Sequence, residues 1–128
     1  MVRGFFAAAA LVIAAVPAQA QDYKTAVGGS PIELRRAWST NPDCTGAGSV
    51  TMRLSGAPQH GRVTFTRGGV FPNFPASNVR AHCNTRRVPG ITAHYTAQRG
   101  YSGPDSASIE IFFPDGSAVS RSFSISVR

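Results

Sequence analysis

Two cysteines, three histidines, six acidic residues and a surplus of arginine are the side chains through which this chain could do chemistry. Cys44 and Cys83 form no Cys-x-x-Cys pair, which disfavours a thiolate metal site or a reactive dithiol. An even number of cysteines in an exported chain reads instead as a disulfide, and closing a loop of that length stabilises by roughly 4 kcal/mol in the chain-entropy treatment. His60, His82 and His94 carry the imidazoles that suit zinc and copper, but no His-x-His or His-x3-His spacing joins them. Local alternation puts His82 and His94 on the outward faces of two nearby strands, and His60 in a turn. An alternative function follows from that pair, a small periplasmic copper- or zinc-binding protein using surface histidines. Glu33 and Glu110 are the only glutamates and both fall at solvent-facing strand positions, unlike the paired carboxylates of a glycosidase. The serines form the polar side of a strand rather than a Gly-x-Ser-x-Gly elbow. The expectation is a protein that is not an enzyme, with no catalytic residue, no cofactor and no resident metal.

Binding chemistry is better represented. The formal charge is +7, and no run of five or six basic residues concentrates it; the only doublets are Arg35-Arg36 and Arg86-Arg87. Outward Arg62, Arg80, His82 and His94, with Arg86 and Arg87 from an adjoining loop, are expected to compose a basic strip on one sheet face. Phe71 and Phe74, in a loop rich in Gly and Pro, are candidates to anchor a partner or to fold back over the core edge. Such a surface suits a protein or an anionic polymer of the cell envelope. Nucleic acid is a poorer fit, because few outward aromatics are available to stack bases.

The elements that hold these residues are strands. Met1-Val2-Arg3, an apolar run from Phe5 to Val16 and the small-x-small site Ala18-Gln19-Ala20 make a secretory signal peptide over residues 1–20, too short to span a membrane as a helix. The domain then runs over residues 21–128 in the periplasm or outside the cell, with no later transmembrane segment. Within it the apolar positions recur every second residue: Ile32 and Leu34; Val50, Met52 and Leu54; Val63 and Phe65; Val79, Ala81 and Cys83; Ile91, Ala93, Tyr95 and Ala97; Ala107, Ile109, Ile111 and Phe113; Val119, Phe123, Ile125 and Val127. Arg36 breaks the pattern before Trp38. Residues 21–31 form a frayed lead-in or a short edge strand, and Arg67–Asn78 is too rich in breakers for a central strand. No apolar stripe of period 3.6 extends over ten residues of the domain. Short strands punctuated every eight to twelve residues predict an all-β fold, an antiparallel two-sheet β-sandwich of about seven strands with one inter-strand disulfide, a closed barrel being the competing answer; the Ig-like version of that sandwich is what the following resemblance implies.

The corner Tyr95-Thr96-Ala97-Gln98-Arg99-Gly100-Tyr101-Ser102-Gly103-Pro104-Asp105-Ser106, followed by an alternating strand and the Pro114-Asp115-Gly116 turn, resembles the bacterial Ig-like and cadherin-like repeat modules of secreted and surface proteins. Pro58-Gln59-His60-Gly61-Arg62-Val63 is similar to their Pro-x-His/Asn-Gly-x-Val step into a strand. The resemblance implies a sandwich and a role in adhesion, spacing or binding; the cadherin-like version also implies a calcium ligand at Asp105, for which six scattered acids are too few. Read from chemistry alone, Gly100 and Gly103 free the backbone at the corner. Tyr101 packs its ring and bonds a backbone group as in a tyrosine corner, and Asp105 accepts backbone N–H groups. The function expected is a non-enzymatic exported Ig-like binding or structural module, contacting a protein or anionic envelope component through a basic sheet face.

Overall fold

The computed structural model describes Gly4, residues 7–14 and residues 21–128. The rest of residues 1–20, where a leader and a cleavage site at Ala18-Gln19-Ala20 are expected, lies outside the described residues. Among the described residues seven strands run in chain order: β1 (Gln21–Ala26), β2 (Pro31–Trp38), β3 (Thr51–Gly56), β4 (Gly61–Val70), β5 (Val88–Ala97), β6 (Gly103–Phe112) and β7 (Ala118–Val127). They divide into a four-stranded sheet of order β1-β7-β6-β3 and a three-stranded sheet of order β2-β5-β4. Every pairing is antiparallel except β1 with β7. Lettered A to G along the chain, the sheets are B-E-D and A-G-F-C, an immunoglobulin-type sandwich whose first strand lies against the last. Among the described residues, no helix is long and apolar enough to cross a membrane.

The two-residue period decides which side chains meet between the sheets. Leu34, Ala37, Ile91, Ala93, Tyr95 and Ala97 pack from the smaller sheet against Ala107, Ile109, Ile111, Phe123, Ile125 and Val127 of the larger. Full burial of each large member contributes about 1.5–3 kcal/mol. β5, the middle strand of its sheet, shows the alternation most cleanly, with Ile91, Ala93, Tyr95 and Ala97 all buried. On β2 the register slips between Glu33 and Arg35, so the inward positions become Leu34 and Ala37. A β-bulge is therefore why Arg36 interrupts the alternation.

Three expectations are corrected. The Val79–Asn84 stretch is not a strand: Ala81–Thr85 is a 3-10 helix, and Val79 is 67% exposed. Its cause is local, since the Asn78 Oδ1 accepts the Arg80 amide and the chain continues with i→i+3 bonds from Ala81 to Asn78 and from Cys83 to Arg80. His82 consequently does not share a sheet face with His94. The Cys44–Cys83 disulfide joins the loop after β2 to this 3-10 helix, so it links two connections rather than two strands. Leu54, expected in the core, is 37% exposed because β3 is an edge strand with a register shift between Leu54 and Gly56. β4 in turn runs on through Gly68 and Gly69 to Val70, as an edge strand can.

Candidate functional site: a basic cleft beside the disulfide

The two ends of the sandwich are built for different purposes. At the end where β5 passes to β6, the corner residues form one bonded unit. The Asp105 carboxylate accepts the Tyr95 hydroxyl at 2.6 Å and the amides of Gln59, Ser106 and His60 at 2.9, 2.9 and 3.1 Å. Burial pushes its pKa up, but the Tyr95 hydroxyl and the three amides outweigh burial and hold it below the ordinary carboxylate value. Burial and then the Asp105 hydrogen bond raise the Tyr95 phenol well above its usual range. The Tyr101 hydroxyl donates to the Pro104 carbonyl, and its ring stacks on His60 with centroids 3.9 Å apart. Gly103, at φ 137°, takes a conformation open to glycine, and a Cβ there would sit 3.0 Å from the Tyr101 hydroxyl. Gly100 also has positive φ, 83°. Every Asp105 contact is thus a strut of the fold.

The candidate binding residues fall into separate places. On the outer face of the smaller sheet, Arg62 lies opposite Thr96, and His94 lies between Thr64 and Glu33. At about 3.3 Å per residue, Thr96 is roughly 26 Å along β5 from Val88, where Arg86 and Arg87 enter. The strip expected on one face is therefore divided: Arg62 and His94 on the sheet, and Arg80, His82, Arg86, Arg87, Phe71 and Phe74 around the disulfide. Within the second group Arg80 donates from Nε to the Thr40 carbonyl at 2.7 Å, tying the 3-10 helix to the Cys44 loop. Phe74 makes an edge contact with Trp38, centroids 5.8 Å apart, and is fixed through its backbone by the Asn84 side chain. Phe71 is 41% exposed, with the Arg87 guanidinium 5.1 Å above its ring.

Beside this group, between the segment before β3, the end of β4 and the start of β5, a cleft of about 440 Å³ opens. Its lining comprises Arg67, Arg87, Ser49, Val50, Val88, Pro89 and the glycines 48, 68, 69 and 90, with no carboxylate among them. Arg67 is fixed by one donor to the Val50 carbonyl at 2.9 Å, which leaves most of its five N–H groups available. Arg87 is oriented by its stacking on Phe71. Gly68 leaves its backbone unscreened, since a Cβ there would meet nothing within 4 Å. Such a site can take a carboxylate, sulfate or phosphate group in fork geometry. Sequence reasoning reached Arg87 but missed Arg67, Gly48, Gly68 and Gly69. The available signal was the pair of arginines bordering Gly68-Gly69 and Pro89-Gly90.

Four of the other five acids are engaged elsewhere. Glu110 pairs with Arg53 at 2.8 Å and Glu33 with Arg36 at 3.7 Å, while Asp43 and Asp115 cap tight turns through Thr45 and Ser117. Hydrogen bonds from Thr45 and Ser117 lower the pKa of these two aspartates. Cys44, His82 and Cys83 place their ligand-type atoms within 4.8 Å of one another. Both sulfurs are engaged in the disulfide, so neither is a thiolate here.

No protein-family model matches the chain, and no curated protein matches it. Among solved structures, the solution structure of Amebosin is similar at TM-score 0.43 and 9% identity, over 87% of this chain and 99% of that one.

Proposed function

We propose that this chain is an exported, non-enzymatic binding module of the bacterial Ig-like kind that holds an anionic component of the cell envelope in the Arg67–Arg87 cleft. The carrying observation is a 440 Å³ opening lined by two guanidinium groups and four glycines, with no acid in the lining. Its volume lies within the roughly 300–1,000 Å³ of ordinary ligand clefts. Charge complementarity favours a polyanion over a neutral partner, and Arg86 adjoins Arg87 in the chain. Export is supported by the leader pattern and by the closed disulfide. A non-catalytic role is supported by the engagement of Asp105, Glu110 and Glu33 in structural bonds. A carboxylated polysaccharide serves as the probe polymer, since a guanidinium fork matches a carboxylate.

The test is calorimetric titration of residues 21–128 with an oligogalacturonate at low and at high salt. Binding is expected that weakens with salt and falls at least about tenfold in Arg87→Ala, since a charge-assisted hydrogen bond contributes about 1.5–3 kcal/mol. Equal affinity of Arg87→Ala and the natural protein would overturn the proposal.

A further inference from the structure

We infer that reduction of the Cys44–Cys83 bridge turns this corner of the fold into a three-ligand site for one thiophilic d10 cation, zinc(II) or copper(I), with His82 supplying the nitrogen. The geometry for it already exists. His82 Nδ1 lies 3.0 Å from the Val79 carbonyl oxygen, and because a carbonyl only accepts, Nδ1 carries the proton and Nε2 keeps its lone pair. That lone-pair nitrogen lies 3.8 Å from Cys83 Sγ. With metal–sulfur bonds of about 2.3 Å and metal–nitrogen bonds of about 2.0 Å, two ligands across a tetrahedral ion stand roughly 3.5–3.8 Å apart. The His82–Cys83 pair therefore needs almost no movement, and the reduced sulfurs separate to that spacing by side-chain rotation. A backbone carbonyl holding the distal nitrogen is also the usual outer support of a metal-bound imidazole.

The site does not depend on the disulfide to keep its parts together. Arg80 Nε donates to the Thr40 carbonyl across the two segments. The Cys44 loop is closed by its own bonds, from Cys44 N to the Asn41 carbonyl, from Asn41 N to the Thr45 carbonyl and from Thr45 to Asp43, and these hold Cys44 at its φ of 69°. The helix side is fixed by Asn84, which bonds both backbone groups of Phe74. Access is open as well: Cys83 is buried, but Cys44 is half-buried and His82 is exposed. In the step itself a dithiol reductant supplies two electrons and two protons to the bridge and leaves as its own disulfide. The cation then displaces the two thiol protons and binds two thiolates and the neutral imidazole, leaving its fourth position to water or an outside ligand.

The experiment reduces residues 21–128 with a water-soluble phosphine, removes it under argon, and titrates cobalt(II) as a spectroscopic probe, followed by zinc(II) competition and a copper(I) arm against a chromophoric chelator. The expected result is one equivalent bound with a thiolate-to-cobalt charge-transfer band in the reduced protein and none in the oxidised protein. His82→Ala should retain the sulfur band but lose at least about tenfold in affinity. Far-UV circular dichroism reports whether the strands persist. Absence of the band in folded reduced protein, equal affinity of His82→Ala, or reduction that unfolds a domain which zinc does not restore would each overturn the inference.

Discussion

Removing the Asp105 carboxylate is expected to be among the most damaging single changes in the domain, although Asp105 itself is only half-buried. Of its four acceptor contacts, those with Gln59 and Ser106 lie at the surface, where water replaces them in Asp105→Ala. The other two do not recover so easily. Tyr95 is 0% exposed, so its hydroxyl is left without a partner, and the part-buried His60 amide loses its acceptor as well. At about 1.5–3 kcal/mol for each hydrogen bond to a charged group, the loss is about 3–6 kcal/mol, against a typical domain stability of about 5–15 kcal/mol. Thermal unfolding should shift downward by on the order of 15 °C or more. The assay is urea denaturation of the natural protein, Asp105→Ala, Tyr95→Phe and the double variant. Tyr95→Phe should cost less than Asp105→Ala, and the cycle should return a coupling of at least about 1.5 kcal/mol. Since the folded-state pKa of Asp105 is lowered, its contribution is present above the unfolded value near 3.8 and is lost as pH falls below it. The natural protein and Asp105→Asn should therefore converge in stability in acid. A cost for Asp105→Ala below about 1 kcal/mol, or a coupling near zero, would refute the reasoning.

Tyr95 has the opposite sign: its raised folded-state pKa gives stability that is whole below pH 10.0 and is lost as pH rises above it, so Tyr95→Phe should flatten the alkaline limb of a pH–stability curve. Gly61→Ala should lower stability by about 1–3 kcal/mol in denaturant titration, because the new Cβ would stand 2.6 Å from both the Thr96 carbonyl oxygen and the Tyr95 ring. Replacing both cysteines by alanine should cost about 4 kcal/mol for a 39-residue separation, read as a lowered melting temperature, and leave polyanion affinity within about twofold. Gly68→Asp places a carboxylate in the cleft without steric conflict; oligogalacturonate binding should disappear while the melting temperature holds.

Sequence legibility followed the reach of the interactions. The strands β5, β6 and β7 could be read residue by residue because each presents a single two-residue period to one core. The same period misled at Val79–Asn84, where the Asn78 side chain and i→i+3 bonds, both invisible to an alternation count, set the backbone. Asp105 was recognisable as a receiver of backbone amides, but not as the partner of Tyr95, since that bond requires the chain to reverse between β5 and β6. The cleft was the least legible feature. Arg67 and Arg87 belong to different segments, and Gly48–Val50 joins them only when the two sheets stack.

The most direct measurement is a map of backbone amide shifts in residues 21–128 during titration with oligogalacturonate. Binding in the cleft should concentrate the shifts at Gly48, Gly68, Gly69 and Arg87, with the Arg67 guanidinium signal following at the same affinity. Shifts centred on Arg62 and His94, or scattered evenly over the arginines, would contradict the assignment of that cleft as the binding site.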